Sequence, residues 1–84
     1  MSHKYTKESQ LSVTLNARHT PAAFHWRGRD YRISAIQDLW RTVGAWWDGE
    51  GETTFFRVLA HSGGIFELRY DHVNDDWRLH RVED

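Results

Sequence analysis

Cysteine is absent from this 84-residue chain, so neither a disulfide framework nor a thiolate metal site can form. Proline occurs once, at Pro21, where it stops any preceding ladder and opens the compact part of the chain. No apolar run approaches the roughly 20 residues of a membrane span, and residues 1–10 lack the apolar stretch of a signal peptide. A cytoplasmic protein without a membrane partner is the expectation. Charge of one sign is also lacking. The formal net charge is −1, which excludes a strongly basic field for gripping nucleic acid at whole-chain level. The length leaves room for one domain.

Aromatic residues, by contrast, are plentiful: Trp26, Trp40, Trp46, Trp47 and Trp77 head a 14% aromatic content. A domain of this size buries only about 60% of its unfolded surface, so large side chains are needed to hold a core. Residues 1–20 read as a flexible N-terminal arm, in which Leu11, Val13 and Leu15 alternate with polar neighbours as an edge strand over 11–15. Residues 21–84 read as a single β domain. Ala22 to Trp26 leads through the turn Arg27-Gly28-Arg29-Asp30 into alternating Tyr31, Ile33 and Ala35, a hairpin pattern.

Residues 35–43 fit two descriptions. Ser34 and Gln37 match a capping box, and Ile36, Leu39, Trp40 and Val43 have helical spacing, with Gly44 as the stop. The same run fits a strand. Isolated helices of this length are marginal without packing.

The next hairpin is specified by its side chains. A three-residue loop, His61-Ser62-Gly63, pairs Phe56 with Leu68 and Val58 with Phe66 on one face. On the other face it sets Arg57 against Glu67 and Phe55 against Arg69. A two-residue loop would put Val58 against Glu67, and a slip of one residue moves every apolar group to the wrong side. Gly63 supplies the positive φ that the loop needs. A four-residue loop, His72-Val73-Asn74-Asp75, then places Trp77 across from Tyr70 and Leu79 across from Leu68. The result is a meander with one aromatic face, buried, and one charged face carrying Arg57, Glu67, Arg69, Arg78 and His80.

No chemistry-bearing motif stands out. Six histidines lack the i, i+4 spacing of a metalloprotease, so no metal is expected. Asp48, Glu50 and Glu52, like Asp75-Asp76, sit among turn residues rather than in a pKa-raising pocket. Ser12, Ser34 and Ser62 have no nucleophile elbow, and Gly63-Gly64 is a turn rather than a phosphate loop. A non-enzyme without cofactors is the expectation. The Trp46-Trp47 doublet is sharper: neighbours on a strand face opposite ways, so one core cannot absorb both. The second ring is either covered by residues 11–20 or exposed as an interface anchor, where arginine is the other enriched residue. Arginines interleaved with aromatics also suit single-stranded nucleic acid, unless they simply pair with acidic neighbours on a solvated face.

Over residues 21–82, about three-quarters of the chain, a series of features carries a family resemblance. These are Phe24, Trp26, Gly28-Arg29, Tyr31-Arg32-Ile33, Trp40-Arg41, Trp46-Trp47 and Gly49-Glu50, then Phe55-Phe56-Arg57-Val58, Gly63-Gly64, Phe66-Glu67-Leu68 and Trp77-Arg78-Leu79. In this order the chain resembles short, uncharacterised bacterial proteins. It is similar also to the C-terminal tail module of catalytically inactive Y-family polymerase homologues, which act with an error-prone replicative polymerase in damage-induced mutagenesis. The related tails commonly carry Gly-Pro where this chain has Asp38-Leu39, and Gly-Pro would break a helix. The resemblance therefore implies a strand bent near Gln37 and Asp38, and a role in recruiting partners with no catalytic residue to carry over.

The reading that follows is all-β: an antiparallel meander of five or six strands rolled into a partly open SH3-like barrel, with one short helix near 35–43 as the alternative. The expected function is a non-catalytic protein-interaction module, an accessory to the DNA damage response and translesion synthesis with a polymerase-associated protein partner. Trp46, Trp47 and Arg41 are the expected anchors, with Arg57, Arg69 and Arg78 tuning specificity. A single-stranded nucleic-acid binder using the arginine face is the alternative, and an exposed edge strand would also support a homodimer.

Overall fold

A computed structural model describes residues 9–43 and 51–83, which hold strands and short connections and no helix. The strands are β1 (Ser9–Gln10), β2 (Ser12–Leu15), β3 (Pro21–Trp26), β4 (Arg29–Val43), β5 (Glu52–Ala60), β6 (Ile65–Asp71) and β7 (Asp76–Glu83). Every pairing is antiparallel, in the order β1-β7-β6-β5-β4-β3-β2. Since β1 and β2 are consecutive parts of one segment, the sheet curls until its two edges share the same stretch of chain. Ser9 pairs with Leu79 at one edge, Ser12 pairs with His25 at the other, and Leu11 N–H donates to Trp77 O at 3.1 Å between them. The chain forms the expected all-β, partly open barrel.

The β5–β6–β7 meander has the register that its side chains demand: Phe56 with Leu68, Val58 with Phe66, Arg57 with Glu67, Leu68 with Leu79, Tyr70 with Trp77. Ala60 N–H bonds Gly64 O, which leaves His61-Ser62-Gly63 as the loop, and Gly63 has φ 106°. The β3–β4 turn is tighter than the four residues expected. Trp26 pairs with Arg29, and Arg27 and Gly28 both have positive φ, at 53° and 77°. That combination is what a two-residue turn matched to strand twist requires, with glycine carrying the half that costs least.

No helix occurs over 35–43. β4 runs unbroken for 15 residues, and its register shifts twice against β5, between Ile33 and Ala35 and between Ile36 and Asp38. Ser34 and Gln37 are thus the extra residues of two β-bulges, each putting two residues of β4 opposite one of β5. The consequence reaches back to the sequence. Ile33, Ile36 and Leu39 all face inward, opposite Ala60, Val58 and Phe56, because each bulge stretches a two-residue period to three. The pattern that imitates a helix is a strand with two insertions. The first bulge also turns Ala35 outward, to an exposed position opposite Leu59.

Val58, Leu68 and Leu79 are wholly buried and form the core with Leu11, Phe24, Trp26, Phe56, Ala60 and Phe66. Around Phe66 the rings interlock. Phe24 stacks on Tyr31 at 5.0 Å, and Phe66 meets Phe24, Tyr31 and Trp26 at 5.1, 5.0 and 6.2 Å. Aromatic pairs at such distances add about 0.5–1.5 kcal/mol each beyond burial. At this end Phe24, Trp26 and Phe66 are all buried.

Candidate interaction surface

Four residues further along β6, about 13 Å from Phe66 by strand rise, lies the other end. Here Phe56, Tyr70 and Trp77 form a second ring group, with Trp77 at 5.5 Å from Phe56 and 4.9 Å from Tyr70. Tyr70 and Trp77 are only half-buried. They face a cleft of about 410 Å³. One side is walled by Leu39 and Arg41 of β4, another by Leu15 of β2 with His19 and Thr20 of the turn that follows it. Leu39, at 48% exposed, is an apolar side chain with an unfilled space beside it.

The cleft exists because β4 leaves its first neighbour. Residues Ala23 to Trp26 of β3 pair with β4 only as far as Arg32, whereas β5 pairs with β4 from Ile33 to Val43. Among the described residues, the second half of β4 therefore has an unpaired edge. Leu39 N–H donates to its own Asp38 Oδ1 at 2.8 Å and so points away from β5. Outward-pointing groups recur every second residue on an antiparallel strand, which makes Arg41 and Val43 the next ones. A row of unpaired backbone donors and acceptors is a template for another strand.

Polar groups around the mouth are mostly paired within the molecule. Thr54 Oγ1 and His72 Nε2 are 2.7 Å apart, and Arg41 reaches Glu52 at 2.8 Å. The β6–β7 turn is built by Asp71, whose carboxylate accepts from Val73 N–H at 2.9 Å and from the Asn74 side chain at 2.8 Å. The Asn74 bond, with the backbone N–H groups of Val73 and Asn74 and the charge of Arg69, holds Asp71 below the ordinary carboxylate range despite some burial. The turn ends on Asp75 in the left-handed region, φ 52°, which aspartate tolerates better than most residues. There its carboxylate accepts the Tyr70 hydroxyl. That bond, then burial and the charges of Asp75 and Asp71, raise the Tyr70 phenol above its ordinary value.

The outer face carries the arginines. Both terminal nitrogens of Arg57 donate to Glu83, and one also reaches Glu67 at 2.8 Å. Glu67, only 6% exposed, is the buried charge of this network, and Arg57 directly opposite is its counterion. Arg57 in turn pulls Glu83 below the usual carboxylate range, and Glu83 with Glu67 raises Arg57. Arg78 bonds Asp76 at 2.7 Å, while Arg69 stands opposite Phe55. This face is less uniformly wet than its sequence suggests. Trp40 stacks flat on Phe55 at 5.3 Å, and Phe55 meets His80 edge-on at 4.9 Å.

A family model described as a domain of unknown function, DUF6504, matches residues 5–84. The chain belongs to that family. No curated protein and no solved structure matches it.

In this DUF6504 chain the candidate residues from the sequence fall into three places. Arg41 is at the mouth. Arg57, Arg69 and Arg78 lie together on the outer face. Trp46 and Trp47 lie outside the described residues, in the connection between Val43 and Gly51. The residues that the sequence reading did not single out are Leu39, Tyr70, Asp75 and Trp77. Alternation predicts that Tyr70 and Trp77 face inward, but which end of the core stays open depends on where the bulged β4 parts from β3. Among the described residues no cluster of His, Asp or Glu is placed to hold a metal ion, and no helix is long and apolar enough to cross a membrane.

Proposed function

We propose that the chain is a non-catalytic protein-interaction module that docks an extended segment of a partner at the barrel mouth. The observation that carries this reading is the half-exposed Tyr70–Trp77 pair lining a 410 Å³ cleft, directly beside the unpaired edge of β4. A strand added to that edge gains main-chain hydrogen bonds from Arg41 and Val43 and to the carbonyl of Leu39, whose N–H is already held by Asp38, and alternate side chains then enter the cleft. Arg41 marks the junction of edge and cleft and serves as an anchor. Trp46 and Trp47 join it on the sequence argument that one core cannot absorb both. Arg57, Arg69 and Arg78 tune specificity from the outer face. The resemblance to polymerase-homologue tails supports an accessory role in translesion synthesis, with a polymerase-associated protein as the partner.

The test is capture from cells after DNA damage with chemical cross-linking. Wild type is compared with Arg41→Pro, which removes an outward N–H without touching the β5 ladder, and with Trp47→Ala, each first shown folded by near-ultraviolet circular dichroism. Wild type is expected to retain a partner that Arg41→Pro loses. Equal capture by folded Arg41→Pro would remove the edge from the account.

The second reading, a single-stranded nucleic-acid binder, draws support from Trp40, Phe55 and His80 lying among Arg57 and Arg69. Against it, Arg41, Arg57, Arg78 and Arg81 each have a carboxylate within 4 Å, so phosphates would have to displace existing partners. A salt titration with an oligonucleotide decides. Phosphate contacts lower log K by about 0.7 per contact per decade of salt, and absence of binding at low salt removes this reading.

A further inference from the structure

We propose that the barrel mouth takes the cationic side chain of a lysine or arginine on the docked partner segment, between the rings of Phe56, Tyr70 and Trp77 and the carboxylate of Asp75. The inference rests on the interaction reading and gives its site a ligand chemistry. Three features lead to it. The first is the ring wall: Trp77 is tilted 39° to Tyr70 and 37° to Phe56, and all three rings line the cleft. Ring faces carry negative potential, and a cation within about 6 Å of a ring centroid is attracted to it.

The second feature is the balance of charge. Arg41 lines the far wall, but Glu52 neutralises it at 2.8 Å. The imidazole of His72 is engaged with Thr54. Asp75 is different: Oδ1 accepts a neutral phenol, and among the described residues no cation lies against it, which leaves Oδ2 for a ligand. Beside the imidazoles of His19 and His72, the one unpaired carboxylate lining the cleft among the described residues is that of Asp75, which disfavours an anion and favours a cation over a neutral side chain. The upward shift of the Tyr70 phenol reports the same acidic field, to which both Asp75 and Asp71 contribute.

The third feature is reach. A strand laid on the β4 edge beside Leu39 and Arg41 has every second side chain on the cleft side, since those two residues face it. A long, flexible side chain with a charged tip can lie along Leu39 and Leu15 and bring that tip to the rings and Asp75.

Small probes separate this chemistry from partner capture. The blocked amino acids N-acetyl-lysine, N-acetyl-arginine and neutral N-acetyl-norleucine methylamides are titrated into the ¹⁵N-labelled chain, following the indole N–H of Trp77 and the amide of Tyr70. Expected are saturable shifts with the two cations at dissociation constants on the order of 1–10 mM, and binding of norleucine weaker by about fivefold. Asp75→Asn is expected to erase that preference while leaving the Trp40 indole signal unmoved. Equal binding of norleucine and lysine, no saturation with either cation, or an unchanged preference in Asp75→Asn would each overturn the proposal. Partner capture alongside any of these results discards the cation and keeps the docking site. No capture by wild type discards the docking site itself.

Discussion

At the scale of single residues, the sheet carries two pH dependences of opposite sign. Glu83 is held below its ordinary range by Arg57, so the ion pair stabilises the fold above the unfolded carboxylate range and is lost as pH falls through the depressed value. Asp71 adds to the same loss through its bonds within the turn. Tyr70 has the reverse sign. Its proton is bound more tightly in the folded chain, so that contribution is present below the ordinary phenol value of about 10 and is lost as pH rises through the elevated one. Ultraviolet titration at alkaline pH should show a tyrosine ionising above the ordinary phenol value, and Asp75→Asn should bring it back. On the acid side, melting temperature against pH should fall less steeply for Arg57→Gln than for wild type, from a lower plateau at neutral pH because Glu67 then loses its counterion. Coincident acid-side slopes would show that Arg57 does not depress Glu83.

At the scale of elements, β4 decides the architecture. Its bulges let one strand pair with β3 through its first residues and with β5 through its last, which bends the sheet and opens the mouth. Deleting Gln37 removes the second bulge and leaves strict alternation, with Ile36, Asp38 and Leu39 opposite Val58, Arg57 and Phe56 as before. The bend goes while Leu39 and Arg41 keep their inward facing. A cooperative thermal transition is expected to survive at a lower melting temperature, because β4 must straighten, whereas Gln37→Ala, an exposed side chain replaced in place, should stay within about 0.5 kcal/mol of wild type. A deletion variant without a cooperative transition would mean that the extra residue, and not the pairing with β5, sets the facing of the second half of β4. The same element marks how far the sequence could be read. The β5–β6–β7 register was legible because strict alternation leaves one pairing that keeps Phe56, Leu68 and Leu79 together. Across Ile33, Ile36 and Leu39 the alternation is broken by insertions whose presence depends on partners elsewhere in the chain, so strand and helix stayed equally compatible with spacing. The bend near Gln37 and Asp38 came from the resemblance rather than from the pattern. Tyr70, Asp75 and Trp77 escaped selection for a related reason: a half-exposed ring and a buried one look alike in a period of two.

For the molecule as a whole, stability depends on contacts distant in sequence. Leu11 is buried between the two edges of the curled sheet, and Gln10 bonds Asp76 across 66 residues. Leu11→Ala should cost about 3 kcal/mol, measured by urea denaturation, and should raise hydrogen exchange along β7 and β3 before it does so along β5 and β6. Uniform exchange across all strands would indicate that residues 9–15 are not what keeps the edges together.

That pairing also sets a timetable. Ser9 and Gln10 leave the ribosome some seventy residues ahead of their partners Leu79 and Arg78, and they wait through that synthesis before they can be matched. The β3–β4 and β5–β6 hairpins can form while translation continues, but the last seam cannot be sewn until β7 emerges. The nascent chain thus carries one orphaned strand, β1, and an uncovered apolar side until β7 emerges, an interval in which a holding chaperone has something to bind.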